Sequence, residues 1–380
     1  MFTIAAKSWL TLYFVAFYFV WGVFLPFWGV WLSGQGISAE DIGLLFSVGL
    51  VLRFVSSMGL LPLVSSGSSI LRLLRVLSFL TLLAFSVLFY LQGYLWLAVI
   101  TLTINFVIGP LVPLGDIIGT RLVNQIQLDY GRVRLWGSLS FIAGSSCIGW
   151  LIAEYGQPSI LWLIVAASAV MWTVSLLKLS PHLDDGETRH QGGKQSLTGL
   201  LKQRNVLLFL IVVGSIQGSH GAYYAFSSIY WNSIGIPESS IAWLWAIAVA
   251  AEVLLMRFNK KLFTNWSIKQ MILLGLSAGI ARWWVISFTD NVYLLAVIQT
   301  FHAFTFAVTH LATIRYISLQ KGVDMVPYQT LYSGVALGLL MALFTYLSGI
   351  FYEQLQGQVF LIMSLLLIPV LWCLKIWKTQ

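Results

Sequence analysis

"SPHLDDGETRHQGGKQSLTGLLKQR", residues 180–204, is the longest polar stretch of a chain that is otherwise strongly apolar. It divides twelve apolar runs six and six: 9–32, 42–64, 70–92, 95–119, 134–153, 159–179, 205–231, 240–258, 268–288, 292–316, 328–351 and 358–377. Each run is close to the roughly 20 residues that cross a bilayer as a helix. A backbone in lipid must satisfy its own hydrogen bonds, so we predict that every run is helical.

The predicted fold is therefore an all-α membrane protein of twelve spans in two six-helix halves. We place the first half at 1–179, a linker at 180–204 and the second half at 205–380. The stretches "GISAEDIGLL" (36–45) and "GIPESSIAWL" (235–244) occupy corresponding positions in the two halves and share Gly-Ile, a later Ile and a Leu. Two related halves around a polar centre are typical of secondary transporters.

Composition separates this chain from soluble proteins and from most enzymes. Only 9% of its 380 residues are charged and 59% are hydrophobic, whereas a soluble chain carries about 25% charged residues. Cys147 and Cys373 both lie in apolar runs and provide neither a disulfide framework nor a metal set. We find no H-E-x-x-H spacing, nucleophile motif or glycine-rich phosphate loop, so we expect no enzyme, metal or cofactor.

The chain has a formal net charge of +8, and its basic and acidic residues are predicted to lie largely on opposite sides of the membrane. Every Lys and Arg except Arg53 and Arg282 lies at the termini, on the even-numbered connections or at the helix ends beside them. All charged residues on the odd-numbered connections are acidic: Glu40, Asp41, Glu154, Glu238, Asp290 and Glu353. Because cytoplasmic loops are enriched in Lys and Arg, both termini are predicted to be cytoplasmic. This asymmetry explains the net charge, and we expect no nucleic-acid partner.

A few charged side chains fall inside the spans, where each needs a partner, a cavity or a function. Asp116 and Arg134 both lie nine residues from the turn near 125, so we expect them to be within reach of each other. Glu252, Arg282 and His302 lie at similar depth and are expected to form a second cluster. Either group could also be a purely structural ion pair.

Arg53 is harder to explain by structure, because its hairpin partner carries no acid at matching depth. His310 is expected to pack, whereas His220 and its neighbours Tyr223 and Tyr224 could either pack or bind. Pro110 and Pro113 are predicted to break or kink span 4, and Pro26 to do the same in span 1.

Several ordered stretches carry a family resemblance: "YFVWGVFLPFWGVWL" (18–32), "DYGRVRLWGS" (129–138), "AGIARWW" (278–284), "QTFHAF" (299–304) and "GIFYEQLQG" (349–357). Together they resemble the lactose-permease branch of the major facilitator superfamily, and within it the bacterial phenylpropionic acid permease group. The resemblance implies a multi-pass protein of the bacterial inner membrane. It also implies that Asp116 and Arg134 bind substrate, and that Glu252, Arg282 and His302 match residues of the coupling machinery.

The chain departs from the lactose-permease pattern in the second half. Thr305 stands at the proton-site glutamate, His220 and Tyr223 lie in the region of the span-7 carboxylates, and Leu337 stands at the span-11 lysine. Ser66 replaces an acidic residue of the loop between spans 2 and 3. Sugar specificity therefore does not follow from the resemblance. Arg53 has no charged counterpart in the sugar permease and suits an anionic substrate.

We predict proton-coupled uptake of an aromatic carboxylate such as 3-phenylpropionate by a monomer in the lipid bilayer. Arg53, with or without Arg134, would bind the carboxylate, and Glu252 would carry the proton. The aromatic ring and the rest of the substrate would meet Trp28, Trp31, Asp116, His220, Tyr223 and Tyr224. The alternatives are a proton symporter for neutral sugars or nucleosides, an efflux carrier, and a receptor or structural protein that transports nothing.

Overall fold

Twelve helical spans, each long and apolar enough to cross a membrane, run through the part of the chain that the structure describes. This computed structural model describes residues 2–184, 197–320 and 325–379. The spans are Ala6–Gly34, Ala39–Leu63, Gly67–Val87, Tyr94–Ile126, Tyr130–Tyr155, Ser159–Leu176, Arg204–Ser233, Glu238–Phe263, Ile268–Phe288, Val292–Ser318, Pro327–Leu355 and Gln358–Ile376. The predicted number and order of spans are confirmed.

Several helices extend beyond the apolar runs from which they were predicted. Span 8 continues to Phe263, past Arg257, Lys260 and Lys261, whereas its apolar run ends near 258. Basic side chains at a helix end can reach the polar headgroups, so they end the apolar run without ending the helix. The same difference appears in span 4, which continues to Ile126.

Span 4 is broken, as its prolines predict. It consists of the helices Tyr94–Ile108 and Leu111–Ile126, which meet at Gly109 and Pro110. Pro113 lies inside the second helix without ending it. Pro26 does not break span 1, because a single helix runs from Ala6 to Gly34.

Other interruptions were not predicted, although Pro369 stands at the one in span 12. Span 10 contains a π-helical segment at Ala303–Val308 between the α-helices Val292–Gln299 and Thr309–Ser318. Span 11 contains another at Tyr332–Leu340, between Met325–Leu331 and Met341–Leu355. Span 7 divides into Arg204–Gly218 and His220–Ser233, and span 12 into Gln358–Leu367 and Val370–Ile376. π-Helical segments often occur at functional sites, and that of span 10 begins beside His302.

Two short strands tie the start of the polar stretch to the N-terminus. Thr3–Ala5 pairs in parallel with Lys178–Ser180, with Thr3 opposite Lys178. Arg121 donates to the backbone oxygens of Asp184 (2.7 Å) and Ser65 (2.6 Å). Residues 178–184 are thus anchored to the first half. The middle of the predicted linker, 185–196, lies outside the described residues, and the short helix Leu197–Leu201 follows it.

The chain groups into two units, residues 1–37 with 48–189 and residues 38–47 with 190–380. In the first unit, glycines bring spans 1 and 5 together. A Cβ on Gly22 would lie 2.3 Å from the carbonyl oxygen of Phe141, and one on Gly144 would lie 2.5 Å from that of Phe19. In the second unit, span 9 packs on span 12, where Gly279 faces Leu367.

Candidate functional site

Arg53 lies half-buried in span 2, with one edge of its guanidinium group held by protein. Its Nε donates to Oδ1 of Asn105 across 2.7 Å. Its Cζ lies 4.7 Å from the centre of the Trp21 ring and 5.9 Å from that of Phe24. Among the described residues, no acceptor bonds its terminal nitrogens Nη1 and Nη2 and no carboxylate pairs with it. The planar fork formed by the two terminal NH2 groups therefore has no protein partner among the described residues.

Glycines allow the backbone of span 4 to approach Arg53 this closely. A Cβ on Gly109 would lie 2.7 Å from the Cα of Arg53, and a Cβ on Gly49 would lie 2.7 Å from the side chain of Asn105. Gly109 stands at the break in span 4, directly before Pro110. The Gly-Pro break thus brings Asn105 and Arg53 into contact.

Asp116 and Arg134 meet as the residue count predicts. Arg134 Nη1 lies 3.6 Å from Asp116 Oδ1, and their side chains are 38% and 46% exposed, respectively. The Tyr130 hydroxyl donates to Asp116 Oδ1, and Arg134 donates from Nη1 to the Tyr18 hydroxyl. Unlike Arg53, Arg134 has its charge compensated by a carboxylate.

The second unit contains the other predicted cluster. Arg282 is fully buried and donates from Nη2 to Gln299 Oε1 (2.6 Å) and from Nη1 to His302 Nδ1 (3.1 Å). His302 Nε2 lies 3.6 Å from Glu252 Oε2. The expectation that Glu252, Arg282 and His302 come together is confirmed. The Tyr223 and Trp283 rings lie 4.5 Å and 4.6 Å from Arg282 Cζ, so ring faces help to stabilise the buried cation.

The hydrogen-bond donors of this cluster fix the proton positions. A guanidinium can only donate, so His302 Nδ1 must accept, and the ring hydrogen of a neutral His302 sits on Nε2, facing Glu252. His302 is 7% exposed at the side chain and Glu252 is 26% exposed. Glu252 is thus the most accessible member of an ordered chain that begins at Arg282.

His220 supports this chain from within the protein. Its Nδ1 lies 3.1 Å from the backbone oxygens of both Ile216 and Gln217, so Nδ1 carries the hydrogen. Its Nε2 lies 3.0 Å from Thr305 Oγ1, which in turn lies 3.4 Å from Arg282 Nη1. Both ring nitrogens are engaged and the residue is fully buried. In this conformation His220 positions Thr305 and has no free edge for a ligand.

Three other predicted substrate residues also contact protein rather than open space. Trp28 and Trp31 are buried and stacked on each other at 4.6 Å, and Trp28 Nε1 donates to Thr101 Oγ1 (3.4 Å). Tyr223 is buried beneath Arg282, and its hydroxyl accepts from Gln299 Nε2 (3.2 Å). Tyr224, by contrast, remains partly exposed.

Several residues of these clusters escaped the sequence reasoning. Trp21 lies within a quoted stretch but was not distinguished from the other aromatic residues of span 1. Asn105 and Gln299 were passed over because they are uncharged. A search for amides inside spans would have found both, since Asn105 lies four residues before the Gly-Pro break and Gln299 three before His302. His310, expected to pack, bonds the Tyr332 hydroxyl at 3.0 Å.

The described residues contain no group of three or more His, Cys, Asp or Glu side chains that could hold a metal ion. What the two clusters provide instead is fixed charge. The first unit presents an uncompensated guanidinium beside aromatic rings, and the second presents a carboxylate at the end of a hydrogen-bonded chain. Neither arrangement contains an activated nucleophile.

Comparison with known proteins gives relatives that are named as transporters. The chain is 38% identical over 367 residues to the probable 3-phenylpropionic acid transporter of Escherichia coli (strain K12), covering 96% of each protein. It is 25% identical over 284 residues to the maltose permease of Geobacillus stearothermophilus, covering 73% of this chain and 70% of that one. It is also 24% identical over 280 residues to the putative nucleoside transporter YegT of E. coli (strain K12), covering 70% and 64%.

Solved structures share the fold. The crystal structure of a point mutant of the nucleoside transporter NupG matches with a TM-score of 0.85 at 15% identity, covering 97% of this chain and 99% of that one. The crystal structure of NupG itself matches with a TM-score of 0.82 at 16% identity, covering 98% of this chain and 100% of that one. The profile of the MFS_1-like family matches residues 8–363. The chain belongs to the MFS_1-like family: it is a multi-pass membrane transporter of major facilitator type, not an enzyme.

Proposed function

We propose that this transporter carries an aromatic carboxylate such as 3-phenylpropionate, together with a proton, into the cell across the bacterial inner membrane. The observation that carries the proposal is the Arg53 guanidinium, whose fork has no described protein acceptor. The name of the E. coli relative, 38% identical, agrees with this substrate class. The transporter works by alternating access, as major facilitator folds do.

Arg53 is the carboxylate anchor. A guanidinium presents parallel N–H groups that match the two oxygens of a carboxylate, and such charge-assisted pairs are among the stronger hydrogen bonds. With Nε occupied by Asn105, the Nη1–Nη2 edge is the one that remains for a ligand. Arg134, paired with Asp116, contributes a compensated polar group and no net positive charge.

Trp21, which is partly exposed, supplies the aromatic contact, and the buried Phe24 ring packs against it. Both rings adjoin the guanidinium and lie 5.7 Å apart, centre to centre. A carboxylate held on the fork would leave its phenyl group close to the Trp21 ring, where aromatic rings pack favourably. Trp21 takes the role predicted for Trp28 and Trp31, whose rings are buried against each other.

Glu252 carries the proton. It is partly exposed and stands next to the Nε2–H side of His302, so water can reach it and a hydrogen-bond donor faces it. His302 is a poor carrier in this arrangement, because a second ring hydrogen on Nδ1 would point at the Arg282 guanidinium. Arg282 and His302 therefore orient the N–H donor that faces Glu252.

Both termini lie in the cytoplasm in this proposal, and transport is directed inward. Basic residues concentrate on the termini and even-numbered connections, whereas the odd-numbered connections are acidic. The charge asymmetry thus supports cytoplasmic termini. Because a symporter moves its substrate in the same direction as the proton, an inward proton gradient would drive accumulation. The protein functions as a monomer in this proposal, with protons and the organic anion as its partners.

The test is uptake of labelled 3-phenylpropionate into proteoliposomes under an imposed pH gradient. Accumulation should require the gradient and collapse with a protonophore. Accumulation without a gradient would remove the coupling, and outward-only transport would favour an efflux carrier. Stabilisation of the purified protein by maltose or uridine, but not by aryl carboxylates, would favour the neutral-solute alternative. One observation favours that alternative: the Asp116–Arg134 pair has no net charge and can hydrogen-bond the hydroxyl groups of a neutral solute.

A further inference from the structure

We propose that Asn105 sets the charge selectivity of the site, by holding Arg53 in place without neutralising it. Asn105 would act through Arg53 and is therefore a positioning residue. The inference rests on the proposed function, since it takes an organic anion as the substrate. It adds a residue in span 4 that decides whether the anion is accepted.

The orientation of the Asn105 amide is fixed by its two bonds. Its Nδ2 donates to the backbone oxygen of Thr101 across 2.8 Å, and its Oδ1 accepts from Arg53 Nε across 2.7 Å. A flipped amide would point N–H at the guanidinium and the amide oxygen at a carbonyl oxygen, so both contacts would become repulsive. Asn105 is 1% exposed, which leaves it little freedom to turn.

A neutral partner is unusual for a cation inside a span, because such residues commonly pair with an acid. Arg134 of the same unit follows the common pattern, with Asp116 at 3.6 Å. An aspartate at position 105 would have nearly the same shape and could accept the same bond from Arg53, while its second oxygen would lose the donation to the Thr101 backbone oxygen. It would also cancel the positive charge that draws a carboxylate. The amide keeps the cation oriented and its charge available.

The surroundings of Arg53 do not provide the missing charge. The Ser56 and Ser57 hydroxyls donate to the Arg53 backbone oxygen rather than accepting from its side chain. Asp116, an acidic residue of span 4, pairs with Arg134 and accepts a hydrogen bond from Tyr130. The aromatic neighbours Trp21 and Phe24 offer ring faces and no formal charge. A carboxylate from the substrate is the counter-ion that this arrangement accommodates.

The experiment compares two ligands on purified protein in lipid nanodiscs: 3-phenylpropionate and its neutral amide, 3-phenylpropionamide. Asn105→Asp should raise the Kd of the acid by about tenfold or more, the scale of one charge-assisted bond. It should leave the Kd of the amide within about threefold, since a neutral ligand does not depend on the net charge. Asn124→Asp, the same change at an exposed position of the same span, is the matched control and should alter neither Kd.

The outcomes test the role of Asn105 separately from the proposed function. If Asn105→Asp weakens both ligands equally, Asn105 is merely structural and the inference fails; it fails also if acid binding is unchanged. Asn105→Ala removes the acceptor without adding charge, so a preference for acid over amide must persist in it. That variant decides the matter if the aspartate variant does not fold. A wild-type protein that binds no aryl carboxylate would instead overturn the proposed function.

Discussion

Arg282 donates from Nη1 to Nδ1 of His302 across 3.1 Å, and this contact decides which nitrogen of a neutral His302 carries the ring hydrogen. The hydrogen must sit on Nε2, which lies 3.6 Å from Glu252. The order Arg282, His302, Glu252 is thus directional, with donors aimed at a carboxylate. Protonation of Glu252 would remove the negative charge that faces this chain and add an O–H donor, which links a proton to the state of the whole cluster.

Glu252→Gln should abolish accumulation driven by a pH gradient while retaining exchange of labelled for unlabelled substrate. A glutamine resembles the protonated carboxyl and can neither take up nor release a proton. The measurements are gradient-driven uptake and counterflow in proteoliposomes. Glu238→Gln is the matched control, because Glu238 lies in the same span and accepts a bond from Asn232 (2.8 Å), away from the cluster. Uphill transport by the Glu252 variant would exclude that residue as the carrier.

His302→Gln should retain gradient-driven uptake within about tenfold of wild type, whereas His302→Leu should lose it. A glutamine can accept from Arg282 through its oxygen and donate through its nitrogen, as the neutral imidazole does. A leucine would leave the buried guanidinium without that acceptor, at a cost of about 1–3 kcal/mol. Uptake and ligand-induced thermal shifts measure both effects. Complete loss in the glutamine variant, with the protein still folded, would mean that the imidazole itself is protonated during transport.

The members of each cluster could be predicted from the sequence, because the number of residues between a side chain and the nearest turn gives its depth in the membrane. Antiparallel helices joined by a short turn place residues at equal separations from that turn at similar depth. On this basis Asp116 was predicted to lie near Arg134, and Arg282 near His302. It works because the spans start and end at the bilayer surfaces, so position along the chain converts into height.

Which way a residue faces could not be predicted in the same manner. Span 1 is apolar on all sides, so no polar stripe distinguishes the face of Trp21 from those of Trp28 and Trp31. The π-helical segments of spans 10 and 11 shift the register of everything after them, and no Gly or Pro at the start of either marks them in the sequence. Asn105 was missed for another reason. The search of the spans looked for charged residues, whereas the role that we propose for Asn105 depends on its being uncharged.

Arg53→Gln should weaken binding of 3-phenylpropionate by about 10- to 100-fold, the range of a hydrogen bond to a charged group. Arg53→Lys should fall between, because an ammonium keeps the charge but lacks the fork and the Nε donor to Asn105. Isothermal titration on purified protein measures both Kd values. Arg134→Gln is the comparison, and its effect should be much smaller because Asp116 already compensates that charge. A larger effect at Arg134 than at Arg53 would reverse the assignment of the anchor.

Gly22→Ala should lower the thermal stability of the protein in detergent, by forcing apart spans 1 and 5. The added methyl group would overlap the Phe141 carbonyl oxygen, which belongs to the backbone and cannot turn aside. Overpacking of this kind costs about 1–3 kcal/mol. Gly59→Ala is the control, because its Cβ would have nothing within 4 Å and alanine is the better helix former. Equal melting temperatures for the two variants would show that the two helices can separate without cost.

Both termini should lie in the cytoplasm, and cysteine labelling can test this directly. In a background with Cys147→Ala and Cys373→Ala, Asp290→Cys introduces a thiol on an exposed odd-numbered connection and Gln203→Cys one on the even-numbered linker. A membrane-impermeant maleimide should label the first variant in cells whose outer membrane has been made permeable. It should label the second only after the inner membrane is opened as well, because the basic residues near 203 hold that loop on the cytoplasmic side. The reverse pattern would place both termini in the periplasm and overturn the predicted topology.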